Sequence, residues 1–102
     1  MTPTYLLMGG LVAAGFDRSG EYLLTISHSG RGLFSTSSWK RVARDYEMAY
    51  PDQGIGIGIG PIDGEAVEVT EMDYDLGRFQ LTSASGDIRL NCESCGISVI
   101  CL

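Results

Sequence analysis

The chain has 102 residues, 44% of them hydrophobic and 20% charged, and a formal net charge of −6. That length suits a single domain over residues 1–102 with one core, and the apolar fraction is too high for a solvated, disordered chain. The negative charge argues against a general nucleic-acid binder, which must neutralise phosphates, and against an anionic membrane surface; the natural complement is a basic protein.

The longest apolar stretch, residues 5–16, falls short of the roughly 20 residues a membrane helix needs. Ala13, Ala14 and Gly15 have the small size seen at leader cleavage sites, but Met1 to Thr4 supplies no Lys or Arg for a charged leader. The stretch reads as buried strand, either two short strands (6–8 and 11–14) or one strand bent at Gly9-Gly10. Fourteen glycines, about twice the usual share, imply many tight turns. Residues 17–20 make the first of these. Residues 21–27 form a strand with Tyr22, Leu24 and Ile26 on one face and Leu23 and Thr25 on the other. A turn at 29–32, a short strand at 33–35 and a polar loop at 35–38 follow. Residues 39–46 contain helix formers and Ser38 as a possible cap. Val42 and Tyr46 give only a thin apolar stripe, however, so a strand is the preferred reading.

Residues 54–60 read GIGIGIG. As a strand they place Ile55, Ile57 and Ile59 on one face and leave the other bare for close approach; as a loop they would lie over a ligand. A turn at 61–64 leads into a strand at 66–74 with Val67 and Val69 on its buried side. Met72 and Tyr74 fall out of that register, which predicts a bulge near Thr70. Strands at 79–82, 88–91 and 97–101, with turns at Gly86 and Gly96, complete about seven to nine short strands. The expected fold is all-β, an antiparallel meander or β-sandwich.

Within residues 10–45, GFDRSGEYLLTIS resembles the inner strands of a WD-type β-propeller blade and GLFSTSSWKRVARD its outer hairpin. The Gly-His and Trp-Asp signatures are absent, and a propeller needs about four or more blades. The resemblance therefore implies a four-stranded antiparallel meander and no function. A second likeness covers SHSGRGLFSTSSWKRVARD, followed by a proline and GIGPIDGE. It is similar to small bacterial proteins, some of them acidic β proteins of toxin–immunity loci, and it carries no site residues.

Catalytic and metal motifs are few. Cys92-Glu93-Ser94-Cys95-Gly96 has the shape of a zinc knuckle, but a structural site needs four ligands, and Cys101 and His28 would have to converge on it. Turn or buried thiols, with no metal, are expected. A redox pair normally sits at a helix start, whereas this one lies in a hairpin. Three cysteines argue against a disulfide framework and fit a reducing cytoplasm. The glycine run misses the dinucleotide fingerprint, since its third glycine would fall at Ile59 and Pro61 follows. His28, flanked by Ser27 and Ser29, lacks a G-x-S-x-G context. No enzyme activity and no cofactor are expected.

Charge is unevenly placed. Residues 1–51 hold five Lys/Arg and four Asp/Glu, net +1, while residues 52–102 hold two and nine, net −7, with six acids from Asp63 to Asp75. A solvated charged edge is the ordinary explanation. Tyrosines set among carboxylates also suit a protein interface, where rings supply contact and acids supply steering. The expected partner-binding residues are Tyr46, Glu47, Tyr50, Asp52, Glu68, Glu71, Asp73, Tyr74 and Asp75. The expected function is that of an immunity protein neutralising a basic-cleft bacterial toxin, such as a nuclease. The alternative is a structural or homo-oligomeric module joined through free strand edges.

Overall fold

The computed structural model describes residues 4–46, 59–62 and 67–101. Short apolar runs between glycine turns give nine strands among them: β1 (Thr4–Leu7), β2 (Leu11–Phe16), β3 (Tyr22–Ser27), β4 (Gly30–Ser35), β5 (Arg41–Asp45), β6 (Thr70–Glu71), β7 (Arg78–Thr82), β8 (Ile88–Glu93) and β9 (Gly96–Cys101). They form two antiparallel sheets, one of four strands in the order β1-β9-β8-β7 and one of five in the order β5-β4-β3-β2-β6. The sequence-based expectation of an all-β antiparallel fold holds, and β2 to β5 are a continuous four-stranded meander.

The chain passes between the sheets twice. At Met8-Gly9-Gly10 it leaves β1 for β2; Met8 N donates to Cys95 O at 3.1 Å and Leu11 N to Ser94 O at 3.2 Å, which ties the crossing to the β8–β9 turn. The second passage runs from β6 into β7. Between the sheets lies one core, with Leu6, Phe79, Leu90, Cys92, Ile97 and Val99 from the four-stranded side and Leu11, Ala14, Leu23 and Met72 from the other.

The five-stranded sheet is covered on its second face too. Leu24 and Leu33 pack there against Ile59, Ile62 and Val67, and Val12, Ala13 and Ile26 continue the layer. β3 consequently buries Leu23, Leu24, Thr25 and Ile26 in succession, as strands covered on both faces do. The faces predicted for β3 are those observed, both of them inside. Among the described residues, the four-stranded sheet has one covered face. Arg78, Gln80, Arg89 and Glu93 stand exposed on the other, and its strands alternate.

Two local devices hold this arrangement. The 67–69 segment rides directly over β2 at Gly15, where a Cβ would overlap the carbonyl oxygen of Glu68 and stand 3.0 Å from Val69 Cα. In the turn between β2 and β3, Asp17 is buried and its carboxylate accepts Tyr22 N at 3.0 Å, Ser19 Oγ at 2.7 Å and Ser19 N at 3.3 Å.

Several expectations are corrected. The turn expected at 29–32 lies earlier, because Gly30, Arg31 and Gly32 belong to β4. Arg31 is buried there by a two-pronged ion pair, Nε to Asp45 Oδ1 at 3.0 Å and Nη2 to Oδ2 at 2.5 Å. The strand expected at 66–74 is regular only over Thr70–Glu71. No bulge occurs at Thr70. Val67 and Met72 are both buried because the sheet has cores on both faces, so both parities can be apolar. The bulges are at Val12, where Leu11 pairs with Ser27 and Ala13 with Ile26, and at Val42, where Leu33 pairs with Ala43 and Phe34 with Arg41. The strand reading of 39–46 holds for Arg41–Asp45, while Trp39 lies in the preceding turn at φ 57°. Gly96 begins β9 rather than turning. Most of the GIGIGIG run lies outside the described residues; Ile59 is buried, and Gly60–Ile62 is a single 3-10 turn.

Candidate functional site

The five-stranded sheet ends in edges of opposite charge. At the β6 edge, Glu68, Glu71, Asp73 and Asp75 are all exposed. Buried Met72, whose N donates to Val12 O at 2.7 Å, anchors the chain just before it turns. Asp73 builds the turn. Its Oδ1 accepts Asp75 N at 3.1 Å and Leu76 N at 3.3 Å, its carbonyl accepts Gly77 N at 2.6 Å, and its backbone forms an isolated antiparallel β-bridge with that of Arg78. Gly77, at φ 68°, supplies the left-handed residue that closes it. The outcome is a turn whose tip leaves Tyr74 and Leu76 76% and 66% exposed, bracketed by carboxylates.

The predicted partner residues divide. Glu68, Glu71, Asp73, Tyr74 and Asp75 share the β6–β7 turn and its approach. Tyr46 follows β5, at the opposite edge of the sheet, where the Arg44 guanidinium lies 4.8 Å from its ring centre; it is a cation–π partner there. Glu47, Tyr50 and Asp52 lie outside the described residues. The Asp73 carboxylate caps the turn.

Sequence reasoning missed the β5 edge. The bulge at Val42 breaks the strict alternation of β5, so Arg41, opposite Phe34, and Arg44, opposite Gly32, face the same side. Two basic residues three apart in a strand would ordinarily point to opposite faces, and only the register shift brings them together.

The cysteines do not converge. Cys92 is buried in the inter-sheet core, whereas Cys95 is exposed in the β8–β9 turn with its Sγ 3.4 Å from Tyr5 Oη on the outer side of the sheet. Cys101 is exposed on β9, and all three are free thiols. Among the described residues no three His, Cys, Asp or Glu side chains gather as metal ligands. His28 is exposed in the β3–β4 turn, and its N donates to Gly10 O at 3.0 Å. The hydrogen bond with Cys95 is the main influence raising the Tyr5 hydroxyl pKa. Burial pushes the Cys92 thiol up to about 12 from an ordinary value of 9.0.

Two thiols per chain should therefore react rapidly with a disulfide reagent under native conditions, with Cys92 reacting only at the rate of opening. Peptide mapping of the labelled chain checks this, and rapid labelling of Cys92 would contradict its packing. The same burial makes stability pH-dependent. Above about pH 9 the unfolded thiol ionises while the folded one stays protonated, so the unfolded state binds fewer protons. Stability should fall as pH rises from about 9 towards 12. Comparing denaturation of the wild type with Cys92→Ala isolates this contribution.

Among the described residues no helix is long and apolar enough to cross a membrane. No protein-family model, curated protein or solved structure matches the chain.

Proposed function

We propose that this chain is a non-catalytic binding protein that presents its acidic β6–β7 turn to a basic protein partner. The specific partner we infer is a cytoplasmic bacterial toxin whose cleft binds a polyanion, with this chain as its immunity protein. The observation carrying this reading is the tip itself: Tyr74 and Leu76 stand exposed on a turn tied by Asp73, with Glu71, Asp73 and Asp75 around them. Proteins that bind or cut nucleic acid carry basic clefts, and carboxylates on a preformed turn can occupy such a cleft in place of phosphates. The tied turn reduces the ordering cost of binding.

Affinity capture from the native host supplies the partner, and stopped-flow association then tests the surface. Replacing Glu71, Asp73 and Asp75 together by Gln, Asn and Asn should slow association at low salt and flatten its salt dependence. Stability should change little, because exposed charges contribute little and asparagine at 73 keeps the Oδ1 that accepts in the turn. Tyr74→Ala should mainly speed dissociation, by about 30-fold if the ring is worth about 2 kcal/mol. An acidic partner, or an association rate unmoved by the triple substitution, would refute the proposal. Recovery of the chain alone as its own partner would put the homo-oligomeric module in its place.

A further inference from the structure

Between β3 and β5, on the face of the five-stranded sheet turned towards Leu7 and Met8, the three strands differ in character. β3 contributes Thr25 and Ser27, and β5 contributes Arg41 and Arg44. β4 contributes Gly32 between them. A Cβ on Gly32 would stand 3.2 Å from Thr25 Oγ1 and 3.5 Å from both Arg41 Cδ and Phe34 Cε2, so this glycine is the floor of a trough and Arg41 lies along its wall. We propose that this trough is a binding site for a phosphate-type dianion, gripped by Arg41 and Arg44.

The charges and donors select that ligand. Among the described residues lining the trough there is no Asp or Glu. Arg31 also lines it, but its guanidinium is held by Asp45. Arg41 and Arg44 make no ion pair among the described residues, and Arg44 is steadied from below by the Tyr46 ring. The hydroxyl protons are already committed: Thr25 Oγ1 donates to Gly32 O at 3.3 Å, and Ser27 Oγ donates to Gly30 O at 3.1 Å. Recognition therefore falls to the guanidiniums. Two planar forks with a combined charge of +2 match a phosphate monoester or inorganic phosphate better than a single carboxylate. The bulge at Val42 is what makes the pair, by turning Arg41 onto the face Arg44 occupies, and bulges commonly re-aim side chains beside functional sites. The site lies at the edge opposite the acidic turn and does not depend on what binds there.

The test is an NMR titration of the isotopically labelled full chain at low ionic strength, with inorganic phosphate, phenyl phosphate and acetate as separate ligands. Saturable shifts centred on the amides of Gly32, Arg41 and Arg44 are expected with either or both phosphates, and acetate should bind at least about tenfold more weakly. Binding by phenyl phosphate alone identifies an esterified phosphate as the source, and stronger binding by inorganic phosphate identifies the free ion. Affinity for phenyl phosphate should fall as pH drops below about 6, where the second proton of a phosphate monoester returns, and that for inorganic phosphate should begin to fall at a higher pH, because its dianion is more basic. Arg41→Gln and Arg44→Gln should each weaken binding at least about tenfold with an unchanged melting temperature. Arg44→Lys keeps the charge and removes the fork, and it should still weaken binding. Absence of saturable shifts, equal binding of acetate, or full affinity in the arginine variants would overturn the proposal.

Discussion

Replacing Gly15 with alanine is expected to lower the unfolding free energy by about 3 kcal/mol. In an open strand the change would help, since glycine in a strand is less favourable than alanine by roughly 0.5–1 kcal/mol. Here the added methyl meets the backbone of Glu68 and Val69. That backbone cannot move away cheaply, because it is pinned on one side by Val67, 1% exposed in the outer core, and on the other by the Met72–Val12 hydrogen bond. Overpacking of this kind costs about 1–3 kcal/mol, occasionally more, so the steric term outweighs the gain in propensity. Chemical denaturation measures the difference. Gly20→Ala is the control: no atom lies within 4 Å of its added carbon, and only its φ of +76° is penalised, at about 1–2 kcal/mol. A Gly15→Ala protein as stable as the wild type would mean that residues 67–69 do not lie on β2.

Asp17→Ala should be nearly as damaging, at about 2–3 kcal/mol. The side chain is 6% exposed and accepts three hydrogen bonds, two from backbone amides and one from Ser19 Oγ. Alanine leaves Tyr22 N without this acceptor in a part-buried position at the start of β3. Bonds to a charged acceptor are worth about 1.5–3 kcal/mol, and a stranded donor adds its desolvation. Asp17→Asn retains one oxygen for Tyr22 N and should lose about half as much. For a domain of this size each kcal/mol shifts the midpoint by roughly 4–8 °C, so thermal melts should rank wild type, Asn and Ala in that order. Equal melting of the Ala and Asn variants would show that the Tyr22 bond contributes nothing.

The elements that could be read from sequence are those whose signal is local. Tyr22, Leu24 and Ile26 alternate with Leu23 and Thr25, and β3 follows. Gly20 and Gly86 mark turns that need positive φ, at 76° and 82°. What could not be read depends on residues distant in sequence. Gly30-Arg31-Gly32 has the composition of a turn, and only Asp45, fourteen positions on, makes a buried strand of it. Val67 and Met72 conflict if one face alone is buried, and the conflict disappears once a second core covers the sheet. In the candidate site, the run Glu68 to Asp75 was visible as charge and Tyr74 as an aromatic among acids. The capping role of Asp73 was not, although its partners are local: every acid in the run has amides following it, and only the geometry of the turn shows that Asp73 Oδ1 accepts from Asp75 N and Leu76 N. Tyr46 was grouped with Tyr74 on composition, although the order of strands places it at the other edge of the sheet. Arg41 and Arg44 were hidden for a geometric reason, since one extra residue at Val42 reverses the side on which Arg41 emerges.

The pairing of β1 with β9 bears on the order in which the molecule assembles. Thr4 meets Val99 and Leu7 meets Gly96, so this contact joins positions about as far apart in the sequence as the fold allows. β2 to β5 need only near neighbours and can associate as soon as they leave the ribosome. β1 has no strand partner until β9 has been made, and until then Leu23, Ala14 and Leu11 lack the facing sheet that covers them. Non-local pairing of this kind slows folding and prolongs exposure of apolar surface. During synthesis the waiting meander, more than any finished surface, is where this chain is most open to capture by chaperones or to aggregation.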